Sequence, residues 1–375
     1  MPQVKPEFET SARLKVIGVG GSGQNAVDHM IRSKVRGVDF IAVNTDAQDL
    51  HHSLASKKLH IGRNITRGLG SGMNPDLGRQ AAEESQREVE ELLRGADLVF
   101  VTCGFGGGTG TGAAPIVAEV AKNQGSLTVA IVTRPFSFEG EMRKRIAEDG
   151  LVRLRKAVDA MIVIPNDRLM NVVERDTPML AAFAMCDEVL RQAVQGIADL
   201  IITPGIINVD FADVRTIMQN SGSAIIGIGT ASGKNRAQEA ARTAIHSPLL
   251  EVSAEGAKGV LFTTAGREDL SMWEVQEAAK IITENVDKDA KIIFGAVHDE
   301  RLKRGEIRVT VIASGFPDGF ARASSIFQGQ ESPLAARAVS QNSPPGPKPP
   351  EDGNAGKESE EEWEIPAFLR RSKKL

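Results

Sequence analysis

Two glycine-rich segments, each placed between an apolar run and a helical pattern, constrain the fold of this chain more than any other feature. The first is Gly18–Gly23 (GVGGSG) and the second is Gly104–Gly112 (GFGGGTGTG). A strand that leads into a helix through a short glycine loop, repeated along a chain, is typical of parallel sheets with helices on both faces. We therefore predict an α/β fold whose first domain is a Rossmann-like parallel sheet.

The same alternation continues along the chain. In the first lobe we predict strands at Leu14–Val19, Phe40–Val43, Leu98–Thr102, Leu127–Thr133 and Ala160–Ile164, and helices at Asn25–Ser33, Asp76–Arg94, Ala113–Asn123 and Glu141–Val158. A long apolar helix at Pro178–Ile202, stopped by Pro204-Gly205, is expected between two lobes. In a second, smaller α/β lobe we predict strands at Ala224–Gly229, Gly259–Thr264, Ala290–Val297 and Glu306–Ala313, with helices at Ala237–Ile245 and Met272–Val286.

These patterns divide the 375 residues into six parts. We predict a flexible N-terminus at 1–12, a sheet domain at 13–177, a central helix at 178–204, a second domain at 205–317, a disordered linker at 318–360 and a docking peptide at 361–375. The linker prediction rests on its proline-rich, polar composition, which buries too little apolar area to offset chain entropy. The apolar cluster Trp363–Leu369 indicates a peptide that docks on a partner, or one that folds back on its own body.

Composition and charge argue against several classes. The formal net charge of −4 does not favour nucleic-acid binding, and no apolar run approaches the ~18–20 residues of a membrane-spanning helix. Met1–Leu14 has the pattern of neither a signal peptide nor a transit peptide. The two cysteines, Cys103 and Cys186, cannot form a disulfide framework, so we expect a reducing, cytoplasmic location.

Glycine loops at the ends of strands favour phosphate binding, because the backbone and a helix N-terminus can approach the anion. The first loop alone would suit a nicotinamide or flavin dinucleotide enzyme, with Asp46 as ribose partner, or a tight turn without ligand. Two such loops at the carboxyl ends of parallel strands favour a nucleoside triphosphate. Thr109 and Thr111 add hydroxyl donors, and the Walker-type loop is absent.

The segment Gly106–Gly112, GGGTGTG, is the signature of tubulin-like GTPases, and the chain resembles the tubulin/FtsZ family. The resemblance runs from about Leu14 to Phe316 and returns at Trp363–Arg371. It rests on five further motifs in the family's order: Gly20–Asn25, Gly68–Pro75, Phe138–Gly140, Asn208–Asp213 and Ile365–Leu369. It implies that 13–177 binds GTP and that 205–317 is an activation domain.

Carried over by residue, the resemblance implies a site for GTP and GDP. The phosphates would be bound by Gly21, Ser22, Gly23, Gln24, Gly107, Gly108, Thr109 and Gly110, with Asn25 facing the nucleotide and Gly72 in the loop that senses the γ-phosphate. Glu139 and Arg143 would lie near the ribose, Asn166 near the sugar and base, and Phe183 and Asp187 would hold the guanine. Ser22 and Gln24 interrupt a glycine run that is often unbroken in the family, and Cys186 beside Asp187 suggests sensitivity to alkylation.

Hydrolysis also needs a group that orients water near the γ-phosphate. From the residues alone, Asp210 and Asp213 are candidates, but Asp210 would equally suit a helix N-cap and Asp213 a first-turn acid. The resemblance implies that the catalytic loop Asn208–Asp213 leaves the far side of the subunit and completes the site of the next subunit. Mg²⁺ would neutralise the phosphates, and no residue is predicted as a metal ligand.

The resemblance further implies filaments of head-to-tail subunits that form the cytokinetic ring at mid-cell in a bacterium. Partners that tether the filament to the membrane would bind Ile365, Pro366, Phe368, Leu369 and Arg370, so contact with the membrane would be indirect. Lys373 and Lys374 would add attraction to an acidic partner or lipid. The rival classes are a dinucleotide-dependent oxidoreductase and a tubulin-like filament with another task, such as plasmid segregation.

Three other features are expected to have no part in binding or catalysis. His51 and His52 sit in a polar stretch without metal-ligand spacing and are expected to be solvated. Cys103 is interpreted as a small buried thiol. Trp273 stands at helical spacing in the second lobe and is expected to pack in the interior.

Overall fold

The computed structural model describes residues 12–170, 176–203, 205–207, 209–246 and 256–316. In this part of the chain one sheet has eleven strands in the order β3-β2-β1-β4-β5-β6-β8-β11-β9-β10-β7. The strands are β1 Leu14–Val19, β2 Val38–Asn44, β3 Lys57–His60, β4 Leu98–Gly104, β5 Leu127–Arg134, β6 Ala160–Pro165, β7 Gly205–Ile207, β8 Gly222–Ser232, β9 Gly259–Gly266, β10 Lys291–His298 and β11 Glu306–Ser314.

Helices cover both faces of this sheet. They are α1 Gly20–Arg32, α2 Ala47–His52, α3 Arg63–Thr66, α4 Pro75–Glu84, α5 Gln86–Leu93, α6 Thr109–Asn123, α7 Glu141–Ala157, α8 Asn166–Leu169, α9 Met179–Ile202, α10 Phe211–Met218, α11 Arg236–Ile245 and α12 Met272–Glu284, with a short 3₁₀ turn at Ser137–Glu139. None of the helices described is both long and apolar enough to cross a membrane.

The first six strands are parallel, and all of them except the edge strand β3 are largely buried on both faces. One face packs on α1, α9 and α10, and the other packs on α4–α7. Burial on both faces explains why these strands read as continuous Val/Ile-rich runs instead of alternating polar and apolar residues. A third apolar cluster, between α11, α12 and the strands β9 and β11, forms the core of the second lobe.

The α/β architecture, the parallel first lobe, the long central helix and the second lobe confirm the predicted fold class. The two lobes share one sheet because β8 pairs with β6 in parallel, and the second lobe then becomes mixed through the antiparallel strand β11. The predicted polar helix Asp76–Arg94 is two helices, α4 and α5, which meet at Ser85. The predicted N-terminus, linker and docking peptide lie almost wholly outside the described residues and stay predictions.

The prediction for Trp273 is wrong. Its side chain is 68% exposed, and its Nε1 donates to Glu277 at 3.2 Å. The buried face of α12 is formed by Val275, Ala278 and Ile282, and Trp273 lies off that stripe at the first turn.

The long helix α9 links the two edges of the parallel sheet. It has 24 residues and so is about 36 Å long. Near its start, Phe183 and Asp187 line a cavity at the carboxyl ends of the strands. At its end, Ile202 packs so closely on Gly37, just before β2, that a Cβ there would come within 2.4 Å of it. The chain therefore leaves α9 on the amino-terminal side of the sheet.

Candidate functional site

A cavity of about 800 Å³ lies at the carboxyl ends of β1, β2, β4, β5 and β6. In open α/β sheets this edge is the ordinary place for a ligand. Of the residues predicted to bind nucleotide, the cavity is lined by Gly21, Ser22, Asn25, Gly72, Gly107, Gly108, Thr109, Gly110, Glu139, Arg143, Asn166, Phe183 and Asp187. The structure thus brings residues from six separate segments of the chain to one place.

The N-termini of α1 and α6 both face this cavity. α1 begins at Gly20 after β1, α6 begins at Thr109 after β4, and β1 and β4 are neighbours in the sheet. Neither N-cap residue, Val19 or Gly108, makes a side-chain capping bond, and neither first turn contains an acid. The free N–H groups and the partial positive charge of both helices can therefore act on one anionic ligand.

Close packing of the loops explains why so many positions are glycine. A Cβ on Gly108 would lie 2.4 Å from the carbonyl oxygen of Gly72, and one on Gly112 would lie 2.0 Å from that of Pro75. Gly107 differs, since a Cβ built on it meets no atom within 4 Å although the residue lines the cavity. A side chain at Gly107 would therefore occupy the space of the ligand without disturbing the protein.

Hydroxyl groups connect the loops at one end of the cavity. Thr109 Oγ1 lies 2.6 Å from Thr45 Oγ1 and 2.7 Å from Ser71 Oγ. Within the GGGTGTG segment, Thr111 Oγ1 accepts from Gly106 N at 3.0 Å. Thr111 is buried and so shapes the segment from behind.

Gly23 and Gln24 are not among the lining residues. A Cβ on Gly23 would lie 2.4 Å from the carbonyl oxygen of Thr102, so this glycine allows α1 to pack on β4. The buried amide of Gln24 donates to the carbonyl of Asp49 at 2.9 Å and accepts from Asn44 at 3.4 Å. Gln24 therefore ties α1 to the segment after β2, and its side chain supports the first loop from outside the cavity.

The other end of the cavity combines an ion pair with aromatic rings. Arg143 Nη1 lies 2.6 Å from Glu139 Oε2, and Glu139 Oε1 accepts from Phe136 N at 2.9 Å. Phe183 meets the buried ring of Phe136 edge-on, with 5.5 Å between centroids. Asn166 is buried and lines the cavity, and its Oδ1 has no hydrogen-bond partner among the described residues. This unpaired acceptor indicates a ligand with a donor group at this position.

Burial changes the protonation of two neighbours on α9. It raises the pKa of Asp187 to about 6, and the nearby positive charges of His29 and Arg32 act in the opposite direction. Burial, with the charge of Asp187, raises the pKa of Cys186 to about 12. Asp187 is therefore mostly a carboxylate at neutral pH, whereas Cys186 stays a thiol, which argues against the rapid alkylation that its position suggested.

The acids Asp210 and Asp213 lie at the other edge of the sheet. They stand at the N-terminus of α10, whose Arg215 donates to the carbonyls of Asp97 and Gly125, just before β4 and β5. β4 has seven residues and so spans about 23 Å between this edge and the cavity. Asp210 occupies the N-cap position, but its side chain makes no capping bond. Asn208 lies outside the described residues.

Comparison with known proteins settles the family. The GTPase-domain model of the tubulin/FtsZ family matches residues 13–174, and the C-terminal-domain model of the FtsZ family matches residues 222–317. An empty dimer of FtsZ from M. jannaschii is 45% identical, with a TM-score of 0.78, covering 82% of this chain and 89% of that one. The chain belongs to the tubulin/FtsZ family. It is a GTPase that binds guanine nucleotides, and the dinucleotide-dependent oxidoreductase is excluded as an interpretation.

More distant members of the fold extend the comparison. CetZ2 from Haloferax volcanii, a GTPγS-bound protofilament, is 22% identical with a TM-score of 0.71, and the match covers 84% of this chain and 97% of that chain. CetZ1 from the same organism, a GDP-bound monomer, is also 22% identical, with a TM-score of 0.72 and coverage of 84% and 98%. At this identity the likeness concerns the fold alone.

Sequence reasoning missed several residues of this tubulin/FtsZ cavity. It is also lined by Asn44 at the end of β2, Asp49 after β2, Thr133 near the end of β5, Ser71 and Leu180. The first three could have been predicted, because Asn44 and Asp49 follow a predicted strand and Thr133 ends one at the carboxyl edge of the sheet. Asp46 also lines the cavity, but its carboxylate is used to cap α2 through the N–H groups of Gln48 and Asp49 at 2.9 and 3.1 Å.

Proposed function

We propose that this GTPase assembles head to tail into filaments and hydrolyses GTP where two subunits meet. The observation that carries the proposal is the separation of the cavity from Asp210 and Asp213, which lie at opposite edges of the parallel sheet. A subunit cannot bring its own acids to its own cavity across a packed sheet. A contact that joins the acid edge of one subunit to the cavity edge of the next would complete the site.

Exposed apolar side chains at the mouth of the cavity and close in sequence to the acids support such a contact. Leu69 and Leu180 line the mouth of the cavity with 85% and 82% of their surfaces exposed. Four residues before Asp210 in the chain, Ile206 of β7 is 68% exposed. A contact between unlike surfaces of identical subunits repeats without closing and builds an open filament. The related FtsZ from M. jannaschii is a dimer in its solved structure.

In this proposal Asp210 and Asp213 orient and polarise the water that attacks the γ-phosphate, together with Asn208. Within the described residues neither carboxylate makes a hydrogen bond or an ion pair, so neither caps α10 or holds an ionic partner there. Asp210 is exposed and Asp213 is partly exposed at the start of α10, which leaves them free to reach a neighbouring subunit. This favours the catalytic interpretation over the N-cap.

The nucleotide would lie along the cavity with its phosphates on the N-termini of α1 and α6. Glu139 and Arg143 would face the ribose, and Asn25 and Asn166 would bind polar groups of the nucleoside. Phe183 would contact the base, and the Asp187 carboxylate would accept hydrogen bonds from N1–H and the 2-amino group of guanine. Adenine offers no donor at those two positions, so an ionised Asp187 selects guanine.

Mg²⁺ would enter with GTP, bound by phosphate oxygens. The described residues contain no group of three His, Cys, Asp or Glu side chains placed to hold a metal ion. The ion would neutralise the charge that builds on the phosphates during hydrolysis. The work of the chain itself is to position the phosphates and the water.

In the cell we propose that the filament forms the cytokinetic ring at mid-cell, with 13–177 as GTP-binding domain and 205–317 as activation domain. The peptide at 361–375 would dock on division proteins that tether the filament to the membrane, through Ile365, Pro366, Phe368, Leu369 and Arg370. This peptide lies outside the described residues. Its presence argues against a filament devoted to plasmid segregation, which would have no use for it.

The test is GTP hydrolysis per subunit measured as the protein concentration rises from well below to well above micromolar, with Mg²⁺ present. A threshold followed by rising specific activity is expected, because each active site needs two subunits. The Asp213→Ala variant is expected to bind GTP normally at every concentration and to lose nearly all turnover. Constant specific activity, or loss of GTP binding in Asp213→Ala, would show that each subunit contains a complete site.

A further inference from the structure

Three hydroxyl groups from three loops form a chain at one end of the cavity. Thr45 follows β2, Thr109 begins α6, and Ser71 lies in the loop before α4. Thr109 Oγ1 is the middle member, 2.6 Å from Thr45 Oγ1 and 2.7 Å from Ser71 Oγ. Thr45 is fully buried and does not line the cavity, whereas Thr109 and Ser71 do.

The buried end of this chain sets the direction of its hydrogen bonds. A hydroxyl has one proton to donate, and a buried proton without an acceptor is costly. Thr45 Oγ1 has Thr109 Oγ1 as its only hydrogen-bond partner among the described residues. Thr45 therefore donates to Thr109, and Thr109 donates its single proton to Ser71. The proton of Ser71 has no acceptor among the described residues and is available to a ligand in the cavity.

The order of the strands indicates which part of the nucleotide Ser71 would meet. Asn166 follows β6, Thr133 lies near the end of β5, and the two helix N-termini follow β4 and β1. Leu69, two residues before Ser71, pairs with Asp46 after β2. From β6 to β2 there are four strand spacings, or about 19 Å. With the base at the β5–β6 end, Ser71 lies beyond the phosphate loops, at the outermost phosphate.

We propose that Ser71 donates a hydrogen bond to the γ-phosphate. We further propose that Thr45, acting through Thr109, orients the hydroxyl proton of Ser71 toward that phosphate. This inference rests on the nucleotide placement proposed above. Ser71 is then a residue that distinguishes GTP from GDP, and Thr45 is a positioning residue that never touches the ligand. The hydroxyl of Thr109 is committed to this relay, so Thr109 contributes to phosphate binding through its backbone N–H.

The first experiment compares dissociation constants for GDP and for the slowly hydrolysed analogue guanosine 5′-(α,β-methylene)triphosphate, with the full chain kept below its assembly concentration. Ser71→Ala is expected to weaken the triphosphate about tenfold, as for a hydrogen bond to a charged group, and to leave GDP within about twofold. Ser85→Ala is the matched control: its buried hydroxyl accepts from Gly62 N, away from the cavity, and neither constant should change. Equal weakening of both nucleotides, or of neither, would overturn the proposal.

The second experiment tests the relay at a residue outside the cavity. In Thr45→Val the order of donors is no longer fixed, so Ser71 can turn its proton to Thr109, and the triphosphate should bind several-fold more weakly with GDP unchanged. Thr45→Ser should restore the affinity of the original chain. The double variant Thr45→Val/Ser71→Ala should be no weaker than Ser71→Ala alone, whereas additive losses would show that Thr45 acts only on packing.

The nucleotide placement itself has a separate test, which is Gly107→Val. If this variant, with its side chain in the cavity, bound nucleotide as tightly as the original chain, the placement and the relay would both be wrong. If Gly107→Val abolished binding while Ser71→Ala left the GTP-to-GDP ratio unchanged, the relay alone would be wrong.

Discussion

At the scale of one residue, burial raises the pKa of Asp187, and the protonation of this carboxyl group then decides how it distinguishes guanine from adenine. Because its pKa is raised to about 6, the group is a carboxylate at pH 7.5 and largely protonated near pH 5. The carboxylate accepts from guanine, whereas the protonated form can donate to the ring nitrogen of adenine. We expect the preference for GTP over ATP to decrease as the pH falls through about 6. The measurement is the ratio of the two dissociation constants, in which the titration of the phosphates cancels.

Asp187→Asn is the control for this pH effect. Its amide does not titrate, so the preference for GTP over ATP should be weak and should not change with pH over the same range. A ratio that falls equally in the variant and the original chain would assign the titration to another group.

Two glycines of the same segment should respond to substitution in opposite ways. Gly107→Val is expected to lower nucleotide affinity by at least about tenfold without lowering the free energy of unfolding, because its side chain enters open cavity. Gly112→Ala should lower the free energy of unfolding by about 1–3 kcal/mol or more, since its methyl group meets the Pro75 carbonyl at 2.0 Å. Urea unfolding and nucleotide titration on both variants check the pair, and a loss of stability in Gly107→Val would contradict the geometry.

At the scale of elements, α10 matters because it holds two acids at the edge of the sheet. Arg215 fixes it through Gly125 O at 3.2 Å and Asp97 O at 3.5 Å, with its guanidinium 5.3 Å from the centre of the Phe211 ring. We expect Arg215→Ala to leave GTP affinity unchanged and to lower kcat in filaments about ten- to hundredfold, because small displacements of catalytic groups are costly. Lys280→Ala, which removes an exposed cation of α12, should change neither. Weaker GTP binding in Arg215→Ala would show that its effect is not confined to the acid edge.

Elements also show where sequence reasoning succeeds and where it stops. The buried parallel strands were predicted nearly to the residue, because an apolar run between glycines has few alternatives. The helices α1 and α6 were predicted to begin at Asn25 and Ala113 but begin at Gly20 and Thr109. Glycine has a low helix propensity, and only the packing against neighbouring loops shows that these glycines form the first turns. The Thr45–Thr109–Ser71 contacts join residues far apart in the chain, so no periodic pattern in the sequence predicts them.

At the scale of the whole molecule, the sequence predicts two lobes, while the fold joins them in one sheet with the cavity and the acids at opposite edges. The resemblance to the family had already placed the acids on the far side. The geometry adds a physical reason, because α9 carries the chain from the cavity to the amino-terminal edge before α10 begins. A site divided between two copies of one chain can therefore be rebuilt from two variants that are each defective in a different half of it.

Two inactive variants should restore each other when they are mixed. Asp213→Ala keeps an intact cavity without working acids, and Gly107→Val keeps intact acids without a working cavity, so each alone should hydrolyse almost no GTP. In an equimolar mixture about one contact in four would join an intact cavity to intact acids, if the two pair at random. We therefore expect turnover to appear on mixing and to be greatest near equal proportions. If every proportion stayed inactive while light scattering showed that the two variants assembled together, Asp213 would have to act within its own subunit.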